Sequence, residues 1–333
     1  MRKLYLDILR IMACFMVIGN HVCSVLNEYQ TVADFNWFAG ALYLAFCKPA
    51  VTIFLMISGT LLLSREESYR KVFMRIVKIV AVIFLFSLLY YTPQGVADYV
   101  KSVTSHNLTK SYWYLYMYAG VLVMLPILRK MVKNMENRDY IYFFVIAFFF
   151  SSFDFLTGYN EYFVIPLFAT LTGIVLLGYY IDNVLPAKYV NKVTAGLSLA
   201  GMCGTYIFVT GLSYIMFRRN PAEAYRFMVY DNIFFIFASI CLYLFIKYVT
   251  IKLDKSISDG ARKVIGIISS CTFGIFLLAD FITDRLAPAY YSVGIISVLP
   301  LLVQVILFNV VVFVTGLAIT ALLKHIPLIR KLL

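Results

Sequence analysis

The sequence predicts an all-α, polytopic integral membrane protein with about ten transmembrane helices and both termini in the cytoplasm. Three observations carry that expectation. Of the 333 residues, 62% are hydrophobic and only 14% charged; this is more apolar surface than a soluble core of that size can bury, so the surrounding solvent is lipid. Apolar runs of about 18 residues or more, the length that crosses roughly 30 Å of hydrocarbon, recur at approximately 4–26, 38–63, 72–91, 112–130, 139–157, 161–181, 192–216, 229–251, 264–286 and 292–323. With the N-terminus inside, 22 of the 29 Lys and Arg residues fall in cytoplasmic segments, 6 in outer loops and Lys48 alone within a span, which is the positive-inside bias.

The runs leave no room for a second domain. Nine prolines and seventeen glycines form no Ser/Gly/Pro-rich tract, so residues 1–333 read as one membrane domain. The net charge of +12 sits in short basic clusters between apolar runs, which fits a lipid bilayer and argues against nucleic acid as a partner. Six cysteines lie singly, with no CxxC and no Cys/His cluster; they read as packing residues, and no metal site is expected. The first run starts almost at Met1 and carries Asp7 and Arg10 with no small-residue cleavage site, the pattern of a retained helix. No internal repeat and no pair of broken helices of the transporter type is visible.

Ionisable side chains within a bilayer are expensive, so each one is a functional candidate. On the first run, Lys3, Asp7, Arg10, Val17, His21 and Glu28 fall within one narrow stripe, with Arg10 and His21 about 16 Å apart along the helix axis. Two readings stand side by side: an active centre at His21, or an anchoring Arg10 with a core histidine bonded to a neighbouring carbonyl. On the second run Lys48 lies near mid-membrane with Thr52 one turn further on. Its ammonium calls for a substrate oxyanion, water or an ion pair with an aspartate of the ninth run. Ser58-Gly59 is a small-residue step suited to close helix packing. The third run opens with Lys71, Arg75 and Lys78, a basic stripe suited equally to phosphates of a ligand and to lipid headgroups. Tyr112-Trp113-Tyr114-Leu115-Tyr116 opens the fourth run as an aromatic belt. On the ninth run Asp280 and Asp284 share one face at the level of His21, and either could orient an imidazole.

The string from Tyr5-Leu6-Asp7 through Leu9-Arg10 to Ala13 and His21 resembles the first helix of the acyltransferase-3 family of membrane O-acyltransferases, with its Arg-x10-His spacing. Lys48-x-Ala50-Val51-x-x-Phe54-x-x-Ile57-Ser58-Gly59 is similar to the family's second-helix motif. Arg75-x-x-Lys78, Trp113-Tyr114-Leu115-Tyr116 through Pro126, and Phe273-Gly274-Ile275-Phe276 follow in the family's order. The sequence departs from the pattern with Lys48 where Arg is common, Thr52 where Pro is common, Ser111 before the tryptophan where His is frequent, and Ala279 where the ninth helix usually carries His. Asp280 or Asp284 stands close enough to compensate for the last.

The resemblance implies transfer of an acyl group, usually acetyl from acetyl-CoA, onto a hydroxyl of an envelope glycan or lipid-linked saccharide at the cell membrane. It implies that Arg10 and His21 belong to the active centre. Around them we expect His21 as general base, since imidazole is the side chain whose ordinary titration lies near neutrality, and Lys48 facing the tetrahedral oxyanion. Asp280 is expected as a partner of the imidazole. Arg10, Arg75 and Lys78 are expected at the CoA phosphates, and Trp113, Tyr114 and Asp284 on the substrate. A transient acetyl-His21 stays open as a variant. The rival expectation is a secondary transporter or glycan exporter using His21 and Lys48 as a coupling pair. The outer loops around 92–111 and 217–228 carry Lys101, Lys110, Arg218, Arg219 and Arg226, compatible with an anionic acceptor. Oligomeric state is not readable.

Overall fold

The computed structural model describes residues 3–28, 34–91, 95–105, 110–157 and 164–333, with side chains described for all of these except 24–28, 110, 150, 151, 153–157, 164–170 and 297. The start of the 161–181 run and parts of the 92–111 loop therefore lie outside the described residues, as does the side chain of Glu28. The regular structure among the described residues is all helical, with no strand, because in lipid every backbone N–H and C=O must be satisfied within the segment. The helices are α1 (Leu4–Glu28), α2 (Phe35–Cys47), α3 (Ala50–Leu62), α4 (Tyr69–Ser87), α5 (Val96–Thr104), α6 (Trp113–Asn134) and α7 (Asn137–Thr157). After them come α8 (Val164–Tyr179), α9 (Lys192–Arg219), α10 (Ile233–Leu253), α11 (Asp259–Tyr291), α12 (Gly294–Ser297), α13 (Leu301–Leu323) and α14 (Pro327–Leu332).

Starts are marked by short polar side chains that accept the first orphan N–H groups: Asp34 from Trp37, Asn191 from Thr194, Asn232 from Phe234 and Ser258 from Ala261, as helix N-caps do. Among the described residues seven spans are long and apolar enough to cross a membrane, where about ten are expected from the runs. The other three runs are also largely helical where described: residues 72–87 lie on α4, which carries the basic stripe, 139–157 on α7, and 164–179 on α8, where the shorter apolar helix Leu171–Val184 begins.

The second run, read as one helix over 38–63, is broken into α2 and α3 at Lys48-Pro49. Pro49 has no N–H to give and disfavours continued helix before it. The Lys48 N–H bonds back to the Leu44 carbonyl at 3.1 Å, and the ladder restarts when Ile53 N–H reaches the Pro49 carbonyl at 2.9 Å. Lys48 thus sits at the junction of two 13-residue helices.

The core centres on α1, which packs against α2, α3, α10, α11 and α13 and fully buries Leu9, Ala13, Cys14 and Met16. α3 crosses α8 with backbones in contact: a Cβ on Gly59 would lie 1.8 Å from the Val175 carbonyl oxygen, and one on Gly178 would lie 2.0 Å from that of Met56. Here the expected close packing at Ser58-Gly59 is met by a second glycine on the facing helix. The start of α1 is pinned by Asp182, whose side chain is 1% exposed and accepts from Lys3, Tyr5 and, at 2.9 Å, Lys247. Three donors around one buried carboxylate satisfy it and fix how α1, α8 and α10 meet. All six cysteines are free, five of them buried.

Candidate active site

The junction at Lys48-Pro49 lies beside open space next to α1, with Cys47, Lys48 and Ala50 in its wall. A cavity of about 430 Å³ runs there between α1, α3, α6, α11 and the segment 228–230. Each wall follows from helical period: Val51, Phe54 and Ser58 on α3, and Trp113, Tyr114 and Tyr118 on α6, are spaced to share a face. At the end near the start of α1 the lining carries three guanidinium groups, Arg10, Arg65 and Arg75. At the other end it carries Asn20, His21, Lys48, Ser111, Trp113 and Tyr230. Between them lies an aromatic wall, with Tyr114 stacked on Tyr118 at 6.0 Å and edge-on to Phe276 at 5.8 Å.

Two of these three guanidinium groups, Arg10 and Arg75, are tightly braced. Arg10 Nη1 lies 3.6 Å from Asp7 Oδ1 and donates to Ser269 Oγ at 3.3 Å, while Ser269 Oγ donates to Asp7 at 2.7 Å. This ties α1 to α11. Arg75 Nη2 donates to Glu67 Oε1 at 2.6 Å, and Arg129 Nη2 donates to Glu67 Oε2 at 2.9 Å. Arg129 is itself buried and donates through Nε to the Leu62 carbonyl at 2.8 Å, closing the end of α3. On the loop between α3 and α4, the hydrogen bond from Arg75, followed by that from Arg129, outweighs burial and holds the Glu67 carboxyl at about 2.

The opposite end is looser. His21 Nδ1 lies 3.8 Å from Asp280 Oδ1, within ion-pair reach and beyond hydrogen-bond length. Asp280 rides on a turn of α11 into which two tyrosines reach. Phe281 N–H donates to the Tyr90 hydroxyl at 2.9 Å, and the Tyr112 hydroxyl donates to the Leu277 carbonyl at 2.8 Å. Lys48 makes no ion pair and no side-chain hydrogen bond among the described residues, so of the alternatives open in sequence the pair with a ninth-run aspartate is not formed. Asn20 Oδ1 is buried without a hydrogen-bond partner among the described residues. Trp113 lies over Tyr230 at 5.0 Å.

Residues 3–325 match the family model described as an acyltransferase domain. The chain belongs to the acyltransferase-3 family. Neither the curated proteins nor the solved structures compared with it gave a match. It is accordingly a multi-pass membrane acyltransferase.

Of the residues singled out in sequence, the acyltransferase lines one cavity with Arg10, His21, Lys48, Arg75, Trp113 and Tyr114. Asp280 joins them through His21. Lys78 is half-buried on α4 outside the lining, and Asp284 is exposed on α11, also outside it. Thr52 is fully buried rather than in the lining and donates to the Tyr230 carbonyl at 3.1 Å; it holds the 228–230 segment against α3. Sequence reasoning missed Arg65, Asn20, Tyr118 and Tyr230 in the lining and the Glu67, Arg129, Tyr90 and Tyr112 supports behind it. Asn20 had a legible signal, a carboxamide beside His21 in an apolar run. The Glu67 pairing had none.

Proposed function

We propose that this acyltransferase moves an acetyl group from cytosolic acetyl-CoA to a hydroxyl of an envelope glycan or glycolipid, with His21 as general base. The observation that carries the reading is the single cavity joining Arg10, Arg65 and Arg75 to His21 and Lys48. Guanidinium groups at one end suit phosphates. The aromatic wall between the two ends suits an uncharged pantetheine arm, and the distance from Arg10 to His21, about 16 Å along α1, is of the order that arm spans.

In this reading Nδ1 of His21 faces Asp280 and carries the imidazole proton, which leaves Nε2 as the base. Nε2 takes the proton of the acceptor hydroxyl as its oxygen bonds to the thioester carbonyl carbon. The carbonyl π electrons move onto oxygen, where the Lys48 ammonium meets the developing charge with no competing carboxylate. Collapse restores the carbonyl, breaks the C–S bond and passes the proton from His21 to the departing CoA thiolate. Asp280 stabilises the imidazolium between those steps, the part a carboxylate plays behind a catalytic histidine.

Incubating the purified full chain with acetyl-labelled acetyl-CoA, and comparing envelope glycans by mass spectrometry with and without the gene product, tests the proposal. A lost acetyl ester on one glycan, restored by wild type and not by His21→Ala, is the expected result. Substrate flux into proteoliposomes without acetyl-CoA, and no acetyl difference in any glycan, would replace it with the transporter reading.

A further inference from the structure

The guanidinium end holds a carboxylate where a site for phosphates has no obvious use for one. Glu67 lies 2.6 Å from Arg75 and 2.9 Å from Arg129, and its side chain is only 11% exposed. It uses both oxygens, one for each arginine. Arg129 is fixed behind it, 9% exposed at its side chain and bonded to the Leu62 carbonyl at 2.8 Å. Arg75 stands in front, 37% exposed and in the cavity wall. The order from interior to cavity is therefore Leu62 carbonyl, Arg129, Glu67, Arg75.

Each link in that order fixes the next. A long, flexible arginine on a membrane helix has several rotamers, and without a partner Arg75 would lower its energy by turning toward headgroups and water. Glu67 takes the Nη2 of the guanidinium, while Arg75 still lines the cavity. A bidentate carboxylate between two guanidiniums is among the most directional arrangements that side chains form. Two residues before Glu67, Arg65 also lines the cavity and makes no ion pair among the described residues, so the same loop delivers one braced and one unbraced cation.

We propose that Glu67, anchored by buried Arg129, is a positioning residue that aims Arg75 at the phosphorylated head of the acyl donor, and that this loop between α3 and α4 selects CoA thioesters over thioesters lacking phosphate. The inference rests on the donor reading given above and deepens it. Glu67 does not touch the donor. It sets where Arg75 can touch it.

The side-chain chemistry dictates the test. Glutamine at position 67 offers one oxygen and one NH2, so one of the two arginines meets a donor instead of an acceptor. Aspartate keeps the charge beside Arg129 but is too short to span both. We expect the purified full chain carrying Glu67→Gln to bind CoA about tenfold more weakly, while its affinity for pantetheine, which has the same arm and no phosphates, stays within about twofold of wild type. Glu67→Asp, which leaves Arg129 paired and so protects folding, should show the same selective loss. In an Arg75→Gln background, Glu67→Gln should weaken CoA binding no further, because it acts only through Arg75. A merely structural role would lower both affinities together, and it would add to Arg75→Gln. Either of those results, or unchanged CoA affinity in both Glu67 variants, overturns the proposal. Wild-type protein that binds neither CoA nor pantetheine would instead overturn the donor reading on which it stands.

Discussion

The two ends of the cavity are built on opposite plans. At one end two of the three lining arginines have carboxylate partners: Arg10 has Asp7, with Ser269 beside it, and Arg75 has Glu67 with Arg129 behind it, while Arg65 makes no ion pair among the described residues. At the other, among the described residues Lys48 has no ion pair and buried Asn20 Oδ1 no hydrogen bond, and His21 stands 3.8 Å from Asp280. Buried polar groups left unsatisfied are costly and persist where something outside the free protein completes them. On the proposed reading the braced arginines are set in advance for a ligand that arrives with its own charges. On the proposed reading Lys48 meets its counter-charge only in the developing oxyanion, and stabilisation withheld until then is the kind that raises kcat.

The largest effects should therefore come from the loose end. His21→Ala is expected to lower acetyl transfer by about 1,000-fold or more with insertion and thermal unfolding unchanged, since it removes the base from the transition state. Full activity would break the comparison outright. Lys48→Met removes a cation of matched length and should lower kcat by about 100-fold while leaving the donor KM near wild type, as loss of one oxyanion-stabilising group does. A rise in KM alone would move Lys48 from the reacting end to the binding end.

The braced end should answer differently. Arg75→Gln is expected to raise the donor KM about tenfold with kcat nearly unchanged. Steady-state kinetics in which kcat falls and KM does not would erase the distinction between the two ends. Asp284→Asn should change transfer by about twofold at most, because Asp284 is exposed and outside the lining, whereas surface charges contribute little. A loss matching that of Asp280→Asn would show that the acceptor reaches further along α11 than the cavity does.

This contrast was only half visible in sequence, for physical reasons. Hydropathy reports burial in lipid, so the helices and the anomalous Asp7, Arg10, His21 and Lys48 stood out against an apolar background. The break at Pro49 did not, because the apolar run continues through it and a proline inside a membrane helix is commonly absorbed. Asp280 and Asp284 share a helix face, and only the packing of α1 on α11 brings Asp280 to His21. Partners far apart in the chain were invisible. Glu67 looks like a loop acid among basic residues until α6 brings Arg129 to it from 62 residues away.

The smallest expected effect lies in that pairing and appears as acid sensitivity. Glu67 is held at about 2 against an ordinary 4.5, chiefly by the hydrogen bond from Arg75. A carboxyl depressed on folding binds fewer protons in the native state than in the unfolded one. Its contribution is thus complete above the ordinary carboxylate value and is lost as pH falls from about 4.5 toward 2. Thermal unfolding of the detergent-solubilised protein should accordingly lose stability across that window. Glu67→Gln cannot titrate, so the variant should begin less stable at neutral pH and decline less steeply, the two curves converging near the acid limit. Parallel curves would mean that the carboxylate feels its two arginines no differently folded than unfolded, and the bracing of this end would have to be sought in Arg10, Asp7 and Ser269 alone.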